Sequence, residues 1–453
     1  MSRALELAER ALRFLDGEGQ ATVTHERSLV LRYARSAPTQ ATDVDDTSIH
    51  LLALRDGHTG SATTNVDTDE ALRDAARRAM AAAEAAARAA GGPGDHPGLP
   101  APPAAYDTHD GDDPDTARVD PSPGGAALKA AFAVAAERDL EAFGTWSTGA
   151  VETALASSTG MHAVDRVTDA YMKIILRDAR GRTGWDAQMA VAVGDLDGEA
   201  GARRAAAKVT AEEPATLPPG EYPVVLDAYA VGGLLDQLAG LAFNGQSHAE
   251  GRGALEGKLG TRVAAPSITL TDAPHAAGTL PRAFDFEGVP KAPIALIRDG
   301  VAEHVVHDSR SAALAGGGAR STGHAATPGG DQFGPTPTNL VLAGGDARDL
   351  AALAAPIERG IYVTRLWYVN VVHPQQTLVT GTTRDGTFLI EDGKITKPLH
   401  DVRFTDSVLR ILDQTEALSA TAQLVGDAEF YGRRFAWGVV APALRARGFR
   451  VTG

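Results

Sequence analysis

Residues 151–194 read VETALASSTGMHAVDRVTDAYMKIILRDARGRTGWDAQMAVAVG, and this stretch decides the fold class. The runs 151–158, 162–177 and 182–194 carry strand-forming residues, broken by turn signals at Ser158–Gly160 and at Arg180-Gly181. Connections this short join antiparallel neighbours. Upstream, a helix is expected over 126–143, ended by Gly144. Downstream, a helix over 198–213 and the turn Pro218-Pro219-Gly220 lead into a strand at 222–226 and an apolar helix over 231–243. Glycines and charges from 245 to 260 predict a mobile loop. Further strands are expected at 294–297, 340–342, 362–372, 378–382 and 388–391, with tight turns at Asp299-Gly300, Asp385-Gly386 and Asp392-Gly393.

The N-terminal region mixes both element types. Leu5, Ala8, Leu12 and Leu15 recur at helical spacing before Gly17. Strands are expected over 21–35 and 49–54, the second turning at Asp56-Gly57. A long helix over 69–90 follows, with Asp67 as its expected cap and Gly91-Gly92-Pro93 as its stop. Proline and aspartate then crowd residues 91–123, where neither a helix nor a central strand can run. The expected division is a 1–90 α/β domain, a 91–123 linker or strap, a 124–220 unit of helix and antiparallel strands, and a β-rich domain over 221–453. The class is α+β.

Composition narrows the chemistry. The chain has 453 residues, 43% hydrophobic and 22% charged, with 58 acidic against 43 basic side chains and a net charge of −15. Phosphate binding draws on Lys and Arg, so nucleic acid is not an expected partner. No apolar run approaches the roughly 20 residues that span a bilayer, so no membrane association is expected. There is no cysteine, which removes disulfides, thiol nucleophiles and thiolate metal ligands, and fits a cytoplasmic setting.

Zinc peptidases place two histidines and a glutamate on one helix face, as in His-Glu-x-x-His or His-Glu-x-x-x-His. Of the 13 histidines only His25 precedes a glutamate, in a predicted strand without a second histidine nearby. Ser247-His248-Ala249-Glu250 lacks a partner four residues on. His304 and His307, in His304-Val305-Val306-His307-Asp308, form the one weak alternative metal pair; His324, His373 and His400 are isolated. No Gly-x-Ser-x-Gly elbow occurs. Gly316-Gly317-Gly318 and Arg320-Ser321-Thr322-Gly323 lie in an irregular stretch, 312–337, long enough to suggest a functional loop.

Several segments together resemble the TldD/PmbA proteins. These are residues 296–301 (LIRDGV), 307–312 (HDSRSA), 321–325 (STGHA), 360–364 (GIYVT), 380–386 (TGTTRDG) and 388–398 (FLIEDGKITKP). Weaker similarity runs through 220–226 into the N-terminal region. The resemblance implies a TldD/PmbA-like fold and a heterodimeric metallopeptidase acting on small, unfolded or flexible peptides. One branch, TldD, carries zinc on a His-Glu-x-x-x-His helix and a cysteine near the C-terminus; the TldE/PmbA branch lacks both. Here residues 232–251 should hold the zinc helix and do not, and the cysteine position falls near Phe430-Tyr431-Gly432-Arg433.

The expectation is therefore a non-catalytic accessory subunit, with no metal of its own and zinc in a TldD-type partner. Arg320, Ser321, Thr322, Gly323, His324 and Arg384 are the expected peptide- or partner-facing residues. Two alternatives stand beside it. One is an independent hydrolase built from His304, His307, His324 or His373. The other is a non-enzymatic binding or regulatory protein, since older naming links the family to DNA gyrase.

Overall fold

The computed structural model describes residues 2–330, 333–427 and 434–453. Six of its strands form one antiparallel sheet: β1 (Gly19–Ala34), β2 (Ala37–Arg55), β3 (His58–Thr64), β4 (Glu141–Ser157), β5 (His162–Arg177) and β6 (Thr183–Ala190). Their order is β3-β2-β1-β4-β5-β6. The central pair is β1 and β4, joined from Gln20↔Ser157 to Tyr33↔Gly144. The strands before and after the segment 91–123 therefore share one sheet instead of forming two separate units. Its prolines do forbid a central strand, but they carry no information about where the flanking strands pair.

Side chains alternate across a strand, so each face of this sheet can be followed separately. Ala21, Val23, Leu29 and Tyr33 of β1 share one face with Ala142, Trp146, Ala154 and Ala156 of β4. Four helices cover that face: α1 (Arg3–Leu12), α2 (Asp69–Ala90), α3 (Pro121–Glu137) and α4 (Gly198–Ala207). The other face meets the C-terminal half. There Leu155 and Ala163 pack against Ala283 and Phe284, and Tyr171, Trp185 and Met189 cluster with Leu280 and Ala436. With both faces covered, the middle of β4 and the second half of β5 are buried almost continuously, whereas β2 is mostly exposed from Ala37 to Asp46.

The second sheet has eleven strands: β7 (Gly220–Leu226), β8 (Leu270–Asp272), β9 (Ile294–Arg298), β10 (Val301–Ala302), β11 (Leu340–Leu342), β12 (Arg359–His373), β13 (Leu378–Glu391), β14 (Lys394–Pro398), β15 (Arg403–Ser407), β16 (Thr415–Val425) and β17 (Val439–Val451). It is mixed, because β12 runs parallel to β7 and β11 parallel to β17. The path β17-β15-β13-β12-β7 returns to β17, closing a circuit of strands. Against it packs the apolar helix α5 (Ala228–Ala242).

Several local expectations need correction. The long helix is capped by Thr68, whose hydroxyl accepts from Ala71 N, while Asp67 pairs with Arg3 at 3.5 Å. Helix α3 stops at Glu137 and the strand ladder resumes at Glu141, so Gly144 lies inside a strand. Helix α4 ends at Ala207 rather than at 213. Strand β2 begins at Ala37, far ahead of 49, because β1 supplies a partner along its whole length. Asp385-Gly386 is a bulge within β13 rather than a turn, since β12 pairs on both sides of it. Residues 245–260 are not irregular throughout. They open with helix α6 (Gly245–Ala249), capped by Asn244, and include the fully buried Leu255.

Alanine on α2 allows the helix backbone to rest directly on the sheet. A Cβ at Gly60 of β3 would lie 2.1 Å from Ala83 N and 2.3 Å from Ala79 O. Gly60→Val should push α2 off the sheet and cost roughly 1–3 kcal/mol, as overpacking does. The midpoint of urea unfolding is the measurement; an unchanged midpoint would contradict the packing.

Candidate functional site

Asp227 starts α5 by accepting a hydrogen bond from Ala228 N at 2.8 Å. The helix carries one charged residue, Asp236, in a predominantly apolar sequence. Gly232 presses against β16, where a Cβ would come within 2.1 Å of Val425 Cγ2, and neighbouring Gly233 faces open space. A cavity of about 480 Å³ opens here, bounded by Trp185, Tyr229, Gly233, Asp236, Arg365 and Trp437. Trp185 and Tyr229 meet edge to face at 4.5 Å. The Arg365 guanidinium lies 5.2 Å from the Trp185 ring and 5.0 Å from that of Trp367. Asp385 accepts from Arg365 Nε at 3.0 Å and so orients it.

Asp236 and Trp437 also bound a second cavity, of about 290 Å³. Trp437 Nε1 donates to Asp236 Oδ1 at 3.1 Å, forming the wall between the two spaces. Burial raises the Asp236 carboxyl above its ordinary range, and the indole bond only partly opposes this. Behind the smaller cavity lies a buried polar network. Asp272, with no exposed surface, accepts from Thr338 N and Asn339 N at 2.8 and 2.9 Å. Its Oδ1 is 3.3 Å from His324 Nε2 and 3.8 Å from Lys291 Nζ. Burial drives His324 and Lys291 down. Burial also opposes the Asp272 charge, but Lys291, His324 and the backbone N–H donors more than offset it and hold that carboxyl well below the usual range.

Glu287 and Asp285 lie beside this network. Asp285 is lifted by burial to about 6, and hydrogen bonds from the backbone N–H groups of Ala325, Val289 and Glu287 only partly oppose the rise. Glu287 is lifted further, to about 8, by burial and then by the Asp285 charge. Its Oε2 accepts from Ser309 N and Oγ.

The structure distributes the expected residues over several places. Gly323 and His324 line the smaller cavity, where the Gly323 carbonyl accepts from Lys291 Nζ at 3.1 Å. Ser321 and Thr322 instead fasten the loop, both hydroxyls donating to the His307 carbonyl. Arg320 is exposed. Arg384 is remote from these, its guanidinium 5.1 Å from the Trp367 ring at the larger cavity. His304 bonds the Ala295 carbonyl from an exposed position, His307 bonds Ser311 Oγ, and His373 is exposed at the end of β12. Phe430-Tyr431-Gly432-Arg433 lies outside the described residues.

Among the described residues no three His, Cys, Asp or Glu side chains group to hold a metal ion. The charged groups at the cavities are committed to other partners or are cationic. Asp236 is engaged by an indole N–H, and Arg365 and Lys291 bring positive charge. Sequence reasoning missed Asp236, Arg365, Trp437 and Lys291. Only Asp236 left a local signal, as a lone charge on an apolar helix.

The segment bearing Phe435 and Trp437 is anchored by Arg434. Its guanidinium grips Asp169 of β5 at 2.8 and 2.5 Å, with both residues 1% exposed. Its backbone N–H donates to Glu26 of β1 at 2.8 Å. The guanidinium crosses Gly149 of β4, where a Cβ would lie 2.5 Å from Arg434 Nε.

Arg434→Met, which strands a buried aspartate, is expected to cost about 3–5 kcal/mol. Adding Asp169→Leu should recover most of that loss, both read from urea unfolding. For Glu287 the folded pKa lies above the unfolded one, so the folded state holds the extra proton between about pH 4.5 and 8. Stability from this group is full below that window and lost as pH rises through it. Glu287→Gln, the isostere of the protonated acid, should melt with the native protein at pH 5 and above it at pH 8.5. Parallel melting curves at both pH values would refute this.

Comparison with known proteins agrees with this architecture. Residues 219–453 match the PmbA/TldA metallopeptidase C-terminal domain, and residues 21–83 match PmbA/TldA metallopeptidase domain 1. A Haemophilus influenzae metalloprotease TldD homolog is 28% identical over 284 residues, covering 60% of this chain and 57% of the relative. A Methanothermobacter thermautotrophicus metalloprotease is 27% identical over 237 residues, covering 52% of this chain and 51% of that protein. The chain thus spans little more than half the length of these relatives. The crystal structure of TldE from Thermococcus kodakarensis superposes with a TM-score of 0.85 at 22% identity, covering 99% of both chains. With more than half its length matched to the family's C-terminal domain, this chain belongs to the TldD/PmbA metallopeptidase family.

Proposed function

We propose that this chain is the accessory, non-catalytic subunit of a TldD/TldE-type heterodimeric metallopeptidase. Zinc is carried by a TldD-type partner, and the substrates are small, unfolded or flexible peptides. The supporting observation is what α5 presents at the cavities. In the zinc-bearing branch this region would supply a His-Glu-x-x-x-His helix. Here α5 offers Gly233 and a single carboxylate bound to Trp437, and the chain has no cysteine anywhere.

Such a subunit still has work to do. Aromatic walls and the Arg365 guanidinium around the larger cavity offer apolar and cation–π contacts that depend little on peptide sequence. Extended main chain can be held by sheet-edge hydrogen bonds, which folded proteins cannot offer. A cytoplasmic setting goes with the absence of cysteine. No helix among the described residues is long and apolar enough to cross a membrane.

The test is reconstitution. Purified alone, the chain should carry far less than one zinc per molecule and leave unfolded peptides intact. Mixed with a TldD-type subunit, it should co-purify and restore chelator-sensitive cleavage. Stoichiometric zinc and peptidase activity in the lone chain would overturn the proposal.

A further inference from the structure

We propose that the smaller cavity is a side-chain pocket for a neutral aromatic residue of a bound peptide, an inference that rests on the peptide-handling function above. Size comes first. A cavity of about 150 Å³ in an engineered protein core accommodates benzene. The roughly 290 Å³ here holds one ring with room for its linker, and falls short of most pockets for drug-sized ligands or cofactors.

The walls supply the second reason. Phe284, Phe286, Phe435 and Trp437 line the space, with ring centroids 5.7 Å apart for Phe286–Phe435 and 6.0 Å for Phe435–Trp437. Tilted aromatic contacts at 4.5–7 Å are the favourable ones, so a guest ring extends an array already present. The Arg282 guanidinium stacks 3.8 Å from the Phe435 ring centre and adds a further planar surface.

Charge decides for a neutral guest, because the ionisable groups lining the cavity have partners inside the protein. Asp165 accepts from His109 Nε2 and Ala283 N at 2.8 and 2.9 Å. Asp285 accepts three backbone N–H groups. Arg282 donates to the Ala436 carbonyl at 2.7 Å, Lys291 to that of Gly323, and Asp236 receives the Trp437 indole. A charged guest would lose its hydration without finding an uncommitted counter-charge. The shared Asp236–Trp437 wall places the pocket next to the larger cavity, and Trp437, 40% exposed, is reachable from solvent.

The experiment titrates the full-length chain, without partner, with acetyl-Gly-X-Gly-amide peptides in which X is Phe, Leu, Gly, Lys or Glu. Calorimetry or ligand-observed NMR reads the affinities. The Phe peptide should bind about tenfold or more tighter than the Gly peptide, ahead of Leu, with Lys and Glu no better than Gly. Ala326→Phe, which brings a ring into the space, and Phe435→Leu, which removes one from the wall, should each erase the Phe preference while circular dichroism shows the chain still folded at the assay temperature. Equal affinities, a preference for Lys or Glu, no Phe binding at millimolar concentration, or a Phe preference intact in both variants would overturn the proposal. An active reconstituted peptidase without any Phe preference sinks the pocket alone. A Phe preference in a chain that no TldD-type partner activates sinks the accessory function alone.

Discussion

A guanidinium with almost no access to solvent holds the two halves of this molecule in register. Taking Arg434 out of water is costly, and only near-ideal pairing offsets such a cost. Asp169 provides that pairing in bidentate form, and the Arg434 backbone adds a bond to Glu26. The contact joins the approach to the last strand with the middle of the first sheet. It tolerates little displacement, because Gly149 leaves room for the side chain and nothing larger than glycine would.

The cavities follow from that anchor. Phe435 and Trp437 come directly after Arg434 and furnish the aromatic wall of the smaller space and the partition between the two. From the other side, α5 contributes Asp236, which fastens the partition through one hydrogen bond. Helix α5 and the segment Arg434–Trp437 thus flank one region of the fold. That region carries aromatic rings and internally compensated charges.

Much of the fold was legible before any coordinates. The long helix over Asp69–Ala90, the strand Leu340–Leu342 and the turns at Asp299-Gly300 and Asp392-Gly393 follow from local signals: caps, glycines with positive φ, and apolar spacing. Less was legible at the site. Gly323 and His324 do reach a cavity, but Ser321 and Thr322 spend their hydroxyls on fastening the loop, and Arg384 belongs elsewhere. Asp385-Gly386 looked like a turn because local residue type cannot tell a bulge from a reversal. The pairing of β12 on both sides settles it.

By itself the sequence determined element types, the acidic surface balance, the absence of cysteine and the absence of a zinc helix. These depend on residue identity and on neighbours a few positions away. Tertiary structure alone decided that β1 lies beside β4 across the proline-rich segment, that Asp236 faces Trp437, and that Arg434 finds Asp169. The last two contacts join residues 201 and 265 positions apart. Their partners are selected by burial and charge compensation in the assembled core, and local propensity carries no record of either.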